Sequence, residues 1–353
     1  MRQGITEEER VQYCGIAWSA DGFTAECLND RGSPVQPPVR FGGADVVAMA
    51  GSLAALAERA GGELAIVVDS TNGIIDGTLL AAGLDVFRAD PPQLGRRPVL
   101  GSVDARSLAD LARYRPDAVT PLRLDDGSLT GRLAEMSEGV KQARPAKEKM
   151  SEAGTLVRHG PRNGTMVALT FDDGPHPQFT GDVLDVLARY DIRATFFCVG
   201  LNAASMERQV SRLADLGHCV ANHTWSHPYL PDLSAAELRE QVDRTREVIT
   251  RAAGDLPPLM RPPYGSLTPS VLDNWVGYDE TIVLWDTEAE DWARPGPEVI
   301  ADRVLAKAQP GSIILLHDAG GDRSQTVASL PAIIEGCLER GWSFGTVPEL
   351  IGC

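Results

Sequence analysis

The sequence predicts an α/β protein: a barrel-like C-terminal α/β domain preceded by a smaller α/β domain. Three observations carry this. Seven apolar runs of strand length alternate with helical patterns across residues 164–353, the rhythm of β-α units on a parallel sheet. A polar stretch rich in Lys, Arg, Gly and Pro, including MSEGVKQARPAKEKMSEAG and RHGPRNG, occupies residues 136–163 and reads as a helical or flexible linker. The 353 residues also exceed what one hydrophobic core ordinarily serves. The expected division is therefore 1–135, 136–163 and 164–353.

In the first domain, strands are expected at Val11–Trp18, Phe23–Leu28 and Val35–Phe41, separated by the turn chemistry of SADG and NDRGS. A helix at Ala44–Ala60, a buried strand at Glu63–Ser70, a Gly-rich helix at Gly73–Ala82 and a strand at Asp85–Ala89 follow. The order is β-β-β-α-β-α-β. In the second domain, strands are expected at Met166–Phe171, Ala194–Val199, His218–Ala221, Leu259–Met260, Thr281–Trp285, Ser312–Leu316 and Ser343–Val347. Helices are expected at Gly181–Tyr190, Ser205–Leu216, Ser234–Ala253, Pro269–Trp275, Glu298–Ala308 and Thr326–Arg340. Ser234 followed by Glu237 forms a capping-box signature. In β-α folds of this kind the loops at the carboxyl ends of the strands build the site.

Charge narrows the partners. The net charge is −16, and residues 1–150 carry 17 Lys and Arg against 21 Asp and Glu. Neither half has the basic excess of a nucleic-acid binder. The start MRQGITEEER lacks a signal-peptide pattern, and no apolar run reaches the roughly 18 residues of a membrane span. These features favour a cytoplasmic protein without a membrane partner. Cys14, Cys27, Cys198, Cys219, Cys337 and Cys353 are scattered without CxxC spacing, which points to buried free thiols rather than a zinc or redox motif.

The chemistry-bearing motifs stand at the ends of the expected strands of the second domain. TFDDGP sets Asp172 and Asp173 side by side, and NHTWSHP spaces His223 and His227 by four. On a helical turn that spacing puts both imidazoles on one face, able to grip one ion. Two histidines and Asp173 would make an open divalent site, leaving Asp172 free as general base toward water. In MRPPYGS, Arg261 could keep Asp172 ionised, and the backbone N–H of Tyr264 could bind an oxyanion. In LWDTEAEDW, an acid such as Asp291 could orient an imidazolium, which His317 of IILLHD supplies as general acid. Taken singly, each motif also reads as a turn, a solvated acidic loop or a capping histidine. His176 of the first motif is left outside the active set.

Together TFDDGP, HTWSH, RPPYG, DTEAEDW and LLHD resemble, in order and spacing, the NodB-homology domain of carbohydrate esterase family 4, the polysaccharide deacetylases. The resemblance spans about residues 160–350 and includes DRSQTVASLPAIIEGCLERGWSFGTVPEL as the last helix and strand. It implies a distorted (β/α)7 barrel and metal-dependent hydrolysis of N-acetyl groups. It further implies Asp172 as base, Asp173, His223 and His227 as metal ligands, and His317 as the acid protonating the leaving amine. Arg261 would pair with the base and Asp291 would tune the histidine. Trp292 and Leu315 would wall the acetyl pocket, with Tyr264 steadying the tetrahedral intermediate. Glu288 stands where the family often has Asp in the fourth motif, which bears on substrate fit. The implied cofactor is one divalent ion, Zn2+ first, with Co2+ or Mn2+ as substitutes.

The first domain is similar, through VVDSTNG and DARSLADLARY, to the RNase H-like nuclease domain of DEDD-type transposases. Ala17 and Gly101 occupy two positions where that family carries carboxylates, leaving Asp69 and Asp104. A scaffold or interaction domain is the expectation, and self-association through it is open. The expected function is thus N-deacetylation of an amino sugar or a related small N-acylated substrate. Two alternatives stand beside it: another amide or cyclic-imide hydrolase on the same barrel, and a regulatory protein touching nucleic acid through its first domain.

Overall fold

Two compact units, Met1–Glu135 and Met136–Cys353, make up the chain. The computed structural model describes residues 11–61, 64–123 and 132–352; the acidic start and Glu63 lie outside them. No helix among the described residues is long and apolar enough to cross a membrane.

In the first unit, β1 (Val11–Ser19), β2 (Gly22–Asn29) and β3 (Val39–Phe41) precede α1 (Val46–Arg59), β4 (Ala65–Asp69), α2 (Asp76–Ala81) and β5 (Asp85–Ala89). The element order read from the sequence is present, and α3 (Ala105–Tyr114) and β6 (Val119–Pro121) continue it. The sheet order is β3-β2-β1-β4-β5-β6. The first three strands are antiparallel, β1, β4 and β5 are parallel, and β6 runs antiparallel to β5. Val67, Leu108 and Ala112 help form the core beneath α3.

Gly15 is what allows α3 to lie so close to β1, since a Cβ there would collide with the backbone of Ala105 and Ala109. We expect Gly15→Ala to destabilise this unit by about 1–3 kcal/mol through overpacking, read as a lower urea midpoint. Asp69 and Asp104 both serve local structure. Asp69 accepts the Thr71 N–H at 2.9 Å, and Asp104 caps α3 through the Ser107 N–H at 2.9 Å. Neither belongs to a cluster of three or more potential metal ligands among the described residues.

α4 (Arg132–Gln142), α5 (Arg144–Glu152) and β7 (Leu156–Val157) come next. Here the structure departs from the linker expected over 136–163. β7 pairs in parallel with a later strand, β12 (Thr281–Val283), and Leu156 and Ala143 are buried in a hydrophobic cluster with Met260 and Ile282. Strand length was the obstacle: two residues give no periodicity to read.

The barrel elements then run β8 (Met166–Asp172), α6 (Phe179–Arg189), β9 (Thr195–Cys198), α7 (Gly200–Ser205), α8 (Glu207–Asp215), β10 (Cys219–Asn222), α9 (Ala235–Ala253) and β11 (Leu259–Met260). After α10 (Pro269–Asn274) and β12 follow β13 (Thr287–Glu288), α11 (Pro297–Lys307), β14 (Ile313–His317), α12 (Ser324–Glu339), β15 (Ser343–Phe344) and α13 (Val347–Ile351). The order β13-β14-β8-β9-β10-β11-β12-β7, with β15 beside β8, is parallel throughout. It is a curled parallel sheet of the distorted (β/α)7 kind.

β8 is buried from Val167 to Asp172, as expected of a strand covered on both faces. Ala168, Phe197, Ala221, Val283 and Ile313 form one core cluster. Successive side chains alternate faces, so the face bearing Ala168 also carries Thr170 and then Asp172. The capping box at Ser234 is formed, with the Glu237 carboxylate accepting the Ser234 N–H at 2.7 Å.

Candidate active site

The candidate side chains are held where parallel strands end. Pairing of β8 with β14 sets His317 opposite Asp172 in register, so the candidate acid and base stand on neighbouring strand ends. Asn222 is the last residue of β10 and pairs with Met260 of β11. His223 and Arg261 therefore emerge side by side, and the His223 Nδ1 lies 2.7 Å from the Arg261 carbonyl. Donation from Nδ1 leaves Nε2 to face an ion.

Asp173, His223 and His227 present ligand atoms within 4.8 Å of one another. Asp173 Oδ1 lies 3.6 Å from His223 Nε2 and 3.3 Å from His227 Nε2. It is a buried oxygen with no hydrogen-bond partner. A buried carboxylate oxygen left in that state between two imidazoles fits a divalent cation. Burial pulls His227 down to about 3, so its imidazole is in the neutral, ligating form. Burial works against charge on Asp173, but the surrounding imidazoles overcome it and hold the carboxyl below its usual range.

The helical turn expected for His223 and His227 is not present; a loop brings them together. Positive φ at Thr224 (66°) and His227 (54°) turns the chain. Gln241 of α9 pins the loop, its side-chain Oε1 accepting the N–H groups of Trp225 and Ser226 at 2.8 and 3.0 Å. Asp173 also has positive φ, 76°, and Asp172 Oδ2 and Asp173 Oδ1 each lie 3.6 Å from His223 Nε2. Strain of this kind persists where surrounding contacts over-determine the backbone. Asn202 supplies one such contact, donating to the Asp173 carbonyl at 2.8 Å.

Asp172 takes the opposite partner. Arg261 Nη1 donates to Asp172 Oδ1 at 2.7 Å and to Thr170 Oγ1 at 2.8 Å. Its Nε reaches the Val283 carbonyl at 3.2 Å, and its guanidinium lies over the Phe197 ring at 4.1 Å. Arg261 is fully buried; a charge so placed needs each of these partners.

On the other side, Asp291 uses both carboxylate oxygens. Oδ1 meets His317 Nδ1 at 2.7 Å, and Oδ2 accepts from the His317 N–H at 2.9 Å and from Thr326 at 2.8 Å. Burial alone would lower His317, yet the charge and hydrogen bond of Asp291 outweigh it and raise the imidazole from 6.5 to about 9. A protonated His317 is thus present below that value and lost as pH rises through it. Asp291→Asn removes the main upward pull, so the alkaline limb of a kcat–pH profile should move down by about one unit or more. An unmoved limb would exclude His317 as the titrating acid.

Leu315 is buried on β14, on the face that carries His317. Trp292 follows Asp291 and is half-buried. Tyr264 has φ 58°, and its ring packs on His227 and Tyr229 at 4.6 and 4.3 Å between centroids. Glu288 receives the Trp285 indole N–H at 3.1 Å. His176 accepts the N–H groups of Gln178 and Phe179 at the start of α6, both at 3.1 Å, a local structural role.

Sequence reasoning missed Asp318. Its Oδ2 accepts from Thr180 at 2.5 Å, Thr180 in turn accepts the His176 N–H at 2.7 Å, and Gly174 is packed against the carboxyl so closely that a Cβ would clash. This clamp fixes the loop carrying Asp173. Its signal, the acid after His317 in LLHD, was visible, but the partner on α6 was not.

The profile of the family described as polysaccharide deacetylase matches residues 159–278. A peptidoglycan-N-acetylglucosamine deacetylase of Bacillus cereus is 39% identical over 192 residues, 54% of this chain and 70% of the relative. A chitooligosaccharide deacetylase of Sinorhizobium fredii is 40% identical over 207 residues, 55% of this chain and 96% of the relative. Among solved structures, a peptidoglycan N-acetylglucosamine deacetylase in complex with 4-naphthalen-1-yl-N-oxidanyl-benzamide matches with TM-score 0.56 and 37% identity, covering 57% of this chain and 95% of that one. A carbohydrate esterase family 4 pseudoenzyme from Bacillus anthracis matches with TM-score 0.52 and 30% identity, covering 55% and 68%.

Proposed function

Because the chain belongs to the polysaccharide deacetylase family, we propose that its barrel hydrolyses the acetamide of N-acetylglucosamine units in a glycan, releasing acetate and leaving a free amine. The observation that carries this is the pairing of Asp172 with His317 at adjacent strand ends, next to the Asp173, His223 and His227 group. One relative of this fold is a pseudoenzyme, so the integrity of the reactive positions matters, and every one of them is filled here.

Asp173, His223 and His227 would hold one divalent ion; the donor set suits Zn2+, with Co2+ or Mn2+ as substitutes. When bound, such an ion supplies Lewis-acid polarisation and acidifies water. Asp172, aimed by the Arg261 hydrogen bond at 2.7 Å, takes the proton from the attacking water. The backbone N–H of Tyr264 donates to the oxygen on which negative charge develops. His317, charged through Asp291, gives its proton to the amine nitrogen as the C–N bond breaks. Leu315 and Trp292 wall the space for the acetyl methyl and exclude water from it.

The test is acetate release from chitooligosaccharides, peptidoglycan fragments and monomeric N-acetylglucosamine, with cyclic imides assayed in parallel. Acetate from the oligomeric glycans is the expected result. Turnover of cyclic imides with no acetate from any glycan would overturn the substrate class and favour the cyclic-imide alternative.

A further inference from the structure

Cys14 and Cys27 oppose each other directly across the antiparallel pair β1–β2. Both are buried, and their sulfurs stand 2.9 Å apart. Cys198, Cys219 and Cys337 are buried free thiols as well, but in the strand registers Cys198 faces Asn222 and Cys219 faces Thr195, while Cys337 lies on α12. The facing pair therefore stands apart from the scattered inert thiols that the cysteine spacing suggested.

We infer that Cys14 and Cys27 are a modification site that closes to a cross-strand disulfide. Directly opposed residues of an antiparallel pair have Cα atoms about 4.5–5.5 Å apart, inside the roughly 4.4–6.8 Å window of disulfides. Closing the sulfurs to the covalent distance of about 2.05 Å takes a shift of less than an ångström from where they stand. No strand needs to slide, because the pairing register already makes the match.

The oxidant is a small-molecule disulfide. One Cys thiolate attacks it and releases one small thiol, leaving a mixed disulfide on the protein. The second Cys sulfur attacks that bond and releases the second small thiol. Two protein thiols are oxidised, one small disulfide is reduced to two thiols, and no other redox partner is required. Burial keeps both thiols from external attack in the folded chain, so the bond closes while β1 and β2 have paired and that face of the sheet is still uncovered. The two positions are thirteen apart in sequence, so the bond restricts a short loop of the unfolded chain and fixes a pair of strands in the middle of the sheet.

The 353-residue chain is refolded with oxidised glutathione or with excess dithiothreitol, then alkylated under denaturing conditions for intact mass and peptide mapping. The oxidised sample should carry two fewer alkyl groups, yield a peptide linking residues 14 and 27, and melt about 5 °C or more above the reduced one. Cys14→Ser and Cys27→Ser should each take up equal label under the two conditions. This readout does not depend on the folded state. Equal alkylation of the unaltered chain in both samples, or a link through any of the other four cysteines, would overturn the assignment.

Discussion

Asp172→Asn lowers kcat for acetate release by about 10²–10⁴-fold, the range that a positioned general base contributes. The asparagine keeps the shape of the carboxylate but has no affinity for the proton of water. Metal content should stay near that of the unaltered chain, because Asp172 is not one of the Asp173, His223 and His227 group that would hold the ion. A second effect accompanies it. Arg261 is fully buried and its charge faces Asp172 at 2.7 Å, so losing the carboxylate strands a cation in the interior. Breaking such a pair costs about 3–5 kcal/mol, visible as a lower denaturant midpoint. A variant with unchanged kcat would remove Asp172 from the mechanism, whatever its stability.

Asp173→Ala should have the largest effect on the metal. It removes the oxygen that both imidazoles approach and leaves two nitrogen donors, too few for a tight open site. After dialysis, elemental analysis should find no stoichiometric divalent ion, and acetate release should fall to background. Asp172→Asn and Asp173→Ala thus separate base from ligand: the first retains the ion and loses turnover, the second loses both.

The barrel was legible because its strands are continuous apolar runs with polar motifs at their ends, and parallel strands align those ends. Each candidate site residue could be named from such a motif. What the sequence concealed depends on contacts between distant segments. β7 is two residues long and is a strand only because β12 is beside it. The convergence of His223 and His227 looked helical by spacing, yet positive φ and Gln241 of α9 produce it. The role of Asp318 depends on Thr180, 138 positions away. In the first unit, Asp69 and Asp104 looked like remnants of a nuclease site, whereas in the fold they accept local N–H groups. Cys14 and Cys27 became a pair only once the register of β1 and β2 was known.

Metal-dependent deacetylation is tested most directly by titrating the stripped chain with Zn2+ and following acetate release from a chitooligosaccharide at each addition. Activity should rise linearly and saturate at one ion per chain, with a flat response in Asp173→Ala. Full acetate release from the stripped chain, or an equal response in Asp173→Ala, would contradict it.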